Sequence, residues 1–182
     1  MTRLENFGIS RRQLFRGDLA GERPALRPPW APSEQSFVAR CDRCRDCIPA
    51  CPERVIRVGT GGFPEMDFSA RGCSLCGDCV AACGGKALTA DPATDRPWEL
   101  VAAIGDACLA RRGVVCRSCG ESCSEDAIYF RLRAGGVAEP LLEQDACTGC
   151  GWCVGVCPTH AVLVIASSRR RERASPTEQL SL

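Results

Sequence analysis

The 182 residues include a single histidine, His160, and a single lysine, Lys86, together with three tryptophans, one tyrosine and six phenylalanines. One histidine is too few for zinc sites that pair CxxC with two histidines. Ten aromatic residues leave no stacking platform for nucleic acid, so the Arg169-Arg170-Arg171-Glu172-Arg173 run reads as solvated charge. No run of 18 apolar residues exists, and the longest apolar stretch, 161–166, is only strand length, so no membrane span is expected. The glycine cluster in 59–64 is not GxGxxG and does not open a helix, which argues against a nucleotide loop. With no catalytic dyad or substrate-pocket signature in the chain, no catalytic residue is assigned and no enzyme activity is expected.

What the sequence has in quantity is cysteine, with 16 residues. Cys41, Cys44, Cys47 and Cys51 are spaced C-x2-C-x2-C-x3-C-P, and Cys147, Cys150, Cys153 and Cys157 repeat that spacing. It is the ligand signature of a 4Fe-4S cluster. Cys73, Cys76, Cys79 and Cys83 keep the spacing, with Gly84 where the other two have Pro52 and Pro158. Cys108, Cys116, Cys119 and Cys123 form a stretched version, with seven residues, 109–115, in the first gap and Ser124 in the proline position. Three cysteines within seven residues wrap one face of a cubane, and the fourth is expected to start a helix that carries it to the neighbouring cluster.

Crossed ligation of this kind assigns Cys41, Cys44 and Cys47 with Cys83, and Cys73, Cys76 and Cys79 with Cys51. The second half repeats it, pairing Cys147, Cys150 and Cys153 with Cys123, and Cys108, Cys116 and Cys119 with Cys157. Three regular motifs and one irregular one then account for four clusters and all 16 thiols. A longer first gap closes at modest entropy cost, because loop closure grows only logarithmically with length. The alternative for the irregular run is that Cys108 is a buried structural thiol and the fourth site is empty or holds three irons. Trp152, between Cys150 and Cys153, is expected to shield a cubane from water.

The formal charge of +1 counts cysteine as neutral. Ligated thiols are deprotonated, and at roughly −2 for each oxidised cluster with its thiolates, four clusters bring the holoprotein to about −7. Much of the 45% hydrophobic content is cysteine and alanine, so cluster binding is expected to supply much of the folding free energy.

The cysteine runs repeat in two pairs, which predicts an α+β chain of tandem two-cluster bacterial ferredoxin-like modules, a cofactor-held core with short helices and hairpins. The first module spans 37–100, with strands over 55–58 and 65–68 around the glycine cluster. The second spans 101–166, with strands over 128–132, 140–143 and 161–165. The two are joined near Pro97-Trp98. Residues 1–36 read as a polar, proline-bearing arm and 167–182 as a flexible tail. Within the arm, Ser10-Arg11-Arg12-Gln13-Leu14-Phe15 resembles a twin-arginine export motif. The apolar segment that should follow is broken by Asp18, Glu22, Arg23, Pro24, Arg27, Pro28 and Pro29, which predicts a retained cytoplasmic arm.

Beyond the cysteines, Ser10-Arg11-Arg12, Arg27-Pro28-Pro29-Trp30, the 59–64 turn, Trp98 and above all Ile104-Gly105-Asp106-Ala107-Cys108-Leu109-Ala110 resemble the NapF family, ferredoxin-type accessory proteins of the periplasmic nitrate reductase system. The resemblance implies a cytoplasmic iron-sulfur protein that contacts the catalytic molybdenum subunit of that reductase and assists its maturation before export. A soluble electron carrier between quinol oxidation and a reductase is the competing implication. Neither nucleic acid nor membrane insertion is expected.

Overall fold

The computed structural model describes residues 25–167, apart from 90 and 135. The double arginine and the Arg169–Arg173 cluster lie outside the described residues. Among those described, no helix is long and apolar enough to cross a membrane.

The elements are short, as the cysteine spacing requires. They are α1 Glu34–Arg40, β1 Ile56–Val58, β2 Pro64–Met66, α2 Asp78–Cys83, β3 Leu100–Ile104, α3 Ser118–Glu121, β4 Ile128–Arg131, β5 Glu139–Leu142, α4 Trp152–Gly155 and β6 Val162–Ala166. The strands pair antiparallel as β1 with β2, β4 with β5, and β3 with β6. The first two pairs are the hairpins read from the sequence, shifted by about one residue. In each, a proline sits in the second strand: Pro64 opposite Val58, and Pro140 opposite Phe130. Two-stranded sheets have only edges, so the missing N–H is tolerated there.

The third pair carries a strand the sequence did not announce. β3 runs along β6 from Leu100 opposite Ala166 to Ile104 opposite Val162, which ties the start of the second module to its end. Ser167, placed in the tail by the sequence, is buried, and its N–H donates to the Glu99 carbonyl at 2.9 Å.

The segment leading into the first cysteine run also differs from a polar arm. Pro28, Pro29 and Trp30 are buried, and Phe37, on α1, is 1% exposed. Ser33 caps α1 through a hydroxyl that accepts from the Ser36 N–H, and Glu34 stands in its first turn. Arg27 holds the corner: its guanidinium pairs with Glu34 at 2.6 Å and Glu65 at 3.3 Å while lying 5.4 Å and 5.5 Å from the ring centres of Phe37 and Phe63. Trp30 reaches the other way. Its backbone N–H donates to the Pro97 carbonyl at 2.6 Å and its indole N–H to the Asp95 carbonyl at 2.9 Å, so the N-terminal segment grips the intermodule linker.

Phe37→Ala should therefore lower the temperature at which cluster absorbance is lost, since truncating a buried phenylalanine costs about 3–5 kcal/mol. An unchanged midpoint would show that α1 is not part of the first module's folding unit.

Two apolar clusters form the core. One gathers Trp30, Phe37, Val55, Ile56, Met66, Phe68 and Leu88 with Cys47 and Cys79; the other gathers Ala102, Ala110, Ile128 and Val162 with Cys108, Cys119, Cys153 and Cys157. Val154 of α4 packs against both, so the halves are joined by more than a linker.

Candidate metal centres

Each regular cysteine run is a loop with the same unusual backbone. The residues just before and just after the second cysteine have positive φ in all three: Arg43 and Arg45 around Cys44, Leu75 and Gly77 around Cys76, Gly149 and Gly151 around Cys150. Left-handed arginine and leucine each cost on the order of 1 kcal/mol or more and persist only where the surroundings impose them. The alternation turns successive thiols toward one side of the loop. In the stretched run the matching residue after Cys116, Arg117, has φ −133°, so this loop follows another path.

The third thiol of every run is buried: Cys47, Cys79, Cys119 and Cys153. Three of them lie within short helices, α2, α3 and α4. The fourth cysteine was expected to start a helix. Instead Cys83 ends α2, Cys123 and Cys157 each follow the last helical residue by two positions, and Cys51 follows a series of turns. Beyond the fourth cysteine the chain folds back through one repeated turn, in which the N–H three residues on donates to the cysteine carbonyl: Arg54 to Cys51, Lys86 to Cys83, Asp126 to Cys123 and His160 to Cys157. Arg54, Asp126 and His160 all have positive φ, and Gly84 and Gly85 take it in the remaining case. Proline and Gly84 are thus two ways into the same bend. The lone histidine is exposed and serves that bend.

The sulfurs gather across motifs. Cys41, Cys44, Cys47 and Cys83 line one cavity, with Phe37, Pro64, Ala87 and Leu88 as apolar walls and Asp42, Arg45 and Lys86 completing the lining. Burial pushes the Cys47 thiol up to about 11, and Cys83, Cys41 and Cys44 add to the rise. Burial likewise raises Cys73 to about 11, helped by Cys51, Cys76 and, from the other module, Cys150. Cys79 rises to about 12, through burial and then Cys73, Cys76 and Cys47.

In the second module burial raises Cys119 to about 11, with Cys108, Cys116 and Cys157 beside it, and Cys153 to about 12, with Cys150, Cys147 and Cys119. Cys108 is buried and lies near enough to Cys119 to act on its thiol. Cys123 lies just past α3, where the Ser122 hydroxyl donates to the Trp152 carbonyl at 3.3 Å and so draws α3 to α4.

Thiols held this far from ionisation make poor isolated groups but suitable metal ligands, because coordination removes the proton and supplies the compensating charge. The chain already offers the hydrogen bonds a ligated thiolate needs. Cys83 Sγ accepts from the N–H groups of Ala87 at 3.3 Å and Leu88 at 3.4 Å, Cys73 Sγ from Leu75 at 3.4 Å, Cys147 Sγ from Ala102 at 3.4 Å and Cys157 Sγ from Ala161 at 3.2 Å. At Cys157 burial opposes ionisation, but N–H groups of Thr159, Ala161 and Val162 outweigh it and the thiol is lowered. Such N–H···S bonds and apolar walls are the means by which a protein tunes cluster potential. At the surface, Asp42 accepts from the Cys44 N–H at 3.1 Å and from Lys86 Nζ at 2.9 Å; the Lys86 and Cys44 bonds hold its carboxyl at about 2. Among the described residues, no three His, Cys, Asp or Glu side chains close around a single ion.

Trp152 lies against the first module: a Cβ at Gly72 would fall 2.5 Å from the Trp152 backbone nitrogen and onto the indole ring.

The 4Fe-4S dicluster domain model matches residues 40–96 and 114–161, one match in each module, and the second begins after Cys108. The ferredoxin-type protein NapF of Escherichia coli (strain K12) is 39% identical over 153 residues, covering 84% of this chain and 92% of the relative. The ferredoxin-type protein NapF of Haemophilus influenzae is 44% identical over 137 residues, 75% of this chain and 77% of the relative. The methylamine utilization ferredoxin-type protein MauM of Methylorubrum extorquens is 33% identical over 165 residues, 81% and 73% of the two chains. The chain therefore belongs to the NapF family of ferredoxin-type proteins and carries 4Fe-4S clusters.

Proposed function

We propose that the chain holds four 4Fe-4S clusters on crossed ligand sets and acts in the cytoplasm as an assembly partner of the catalytic molybdenum subunit of a periplasmic nitrate reductase, before that subunit is exported. Similarity to NapF proteins over 84% of the chain carries this reading. The ligand sets are Cys41, Cys44, Cys47 and Cys83; Cys73, Cys76, Cys79 and Cys51; Cys147, Cys150, Cys153 and Cys123; and Cys108, Cys116, Cys119 and Cys157. The cavity shared by Cys83 and the Cys41 run supports the crossing.

When bound, each cluster supplies one-electron exchange at a potential set by its surroundings. The chain's own groups hold the sulfurs, direct N–H donors at them and exclude water with Phe37, Leu88, Phe68 and Val162. In this reading no residue carries out catalysis, and the function lies in what the chain docks to.

A soluble carrier between quinol oxidation and a reductase is the second reading, favoured by the nearness of thiols from successive sets. Deleting the gene and assaying exported reductase separates the two. Assembly predicts poor activity even when an artificial dye donates the electrons, with the catalytic subunit accumulating in an iron-poor form. Full dye-linked activity alongside lost quinol-linked activity would overturn assembly in favour of carriage.

A further inference from the structure

We propose that the four ligand sets form one ordered electron path through the molecule, running from the Cys41 set to the Cys73 set, then the Cys147 set, then the Cys108 set, and that electrons cross between modules at the hydrogen bond from the Cys73 N–H to the Cys150 carbonyl. The inference rests on the crossed ligation proposed above.

The order follows from which cysteines touch which. Within the first module Cys47 and Cys79, the buried third ligands of its two runs, share one apolar cluster. Within the second, Cys119 and Cys153 share the other. Between the modules Cys73 and Cys150 are joined by a 2.7 Å backbone hydrogen bond. Each module therefore turns one of its two sets toward the other module, the Cys73 set in the first and the Cys147 set in the second, and the remaining set of each lies beyond it in the path.

The junction is built to be close. Gly155 of α4 lies on the first module's backbone, where a Cβ would stand 2.9 Å from the Ala70 carbonyl carbon and oxygen and 3.1 Å from the Ser69 oxygen. A Cβ at Gly72 would strike Trp152, and one at Gly151 would strike the Phe68 ring. Around this seam the Trp98 indole N–H donates to the Thr148 carbonyl at 2.7 Å, Trp98 meets Phe68 edge-on at 6.2 Å, and Val154 packs into both cores. An N–H···O=C link between two ligating residues gives a short covalent and hydrogen-bonded route from one inner thiolate to the other. A transferred electron leaves one reduced cluster oxidised and its oxidised neighbour reduced, with no proton required.

Electron paramagnetic resonance of the full holoprotein, fully reduced under anaerobic conditions, tests the path. Spin–spin broadening and fast relaxation should link all four centres. Gly155→Leu changes no ligand but forces the seam apart, and its opening is read independently as faster deuterium exchange at the Cys73 amide. The expected result is unchanged iron, faster Cys73 exchange and loss of the coupling between modules while coupling within each survives. Wild-type coupling in a variant whose Cys73 amide has opened would overturn the path. So would a wild-type spectrum showing two mutually uncoupled pairs. Trp98→Phe, which removes the indole hydrogen bond to Thr148 and part of the ring packed against Phe68, should loosen the coupling in the same sense should Gly155→Leu fail to fold; unaltered coupling despite an opened Cys73 amide would again count against the path. An error in crossed ligation shows separately, as the wrong cluster lost in single-cysteine variants with the intermodule coupling intact.

Discussion

Chelating the iron from the anaerobic holoprotein should unfold most of the chain, with near-ultraviolet dichroism and the cluster absorbance lost together. The described residues contain three two-stranded sheets and helices of four to seven residues. An isolated strand pair is marginal in water, and helices this short do not persist alone. Six cysteines are buried within the apolar core, so removing the metal leaves polar, unligated thiols where the packing is densest. Metal binding in such a fold is folding free energy. Before chelation the protein should contain about sixteen iron and sixteen acid-labile sulfide per chain, four of each for every four thiolates. Twelve of each would indicate an unfilled stretched site. A cooperative thermal transition in the iron-free chain, or zinc without sulfide, would refute the account.

Replacing Cys51 by alanine should remove about a quarter of the iron, and the loss should fall on the cluster held by Cys73, Cys76 and Cys79. Cys51 belongs by sequence to the first run, but it is among the thiols that act on Cys73, and the cavity of the Cys41 run is closed by Cys83. Site-resolved spectra of the reduced variant should therefore retain the Cys41 centre. Damage confined to that centre would establish ligation in simple sequence order.

How much of this could be read from the residues alone varies with the signal each part carries. The glycines of 59–64 and the alternation on either side mark the first hairpin, because that turn chemistry is local. β3 has no comparable mark: Leu100–Ile104 is short, contains two alanines, which are depleted in strands, and finds its partner β6 some sixty residues later. α1 did leave a trace in Ser33-Glu34, a cap and an acidic first turn, but the surrounding prolines made the whole segment resemble a polar arm. At the site, the cysteine spacing names the residues without revealing their backbone. Arg43, Arg45 and Leu75 carry no residue-level hint of positive φ; only their alignment with Gly77, Gly149 and Gly151 does so. The turn after each fourth cysteine was hidden for the same reason, since Arg54, Asp126 and His160 share no chemistry.

The grip of Trp30 on Asp95 and Pro97 sets a timetable for biosynthesis. Domains of a growing chain fold from the N-terminus as they emerge, yet here an early residue docks on carbonyls made some sixty-five residues later. These two contacts can form only once residues 95–97 have cleared the exit tunnel, by which time all eight cysteines of the first module, 41–83, are already outside. The first module's full set of ligands is thus in place before this corner can close.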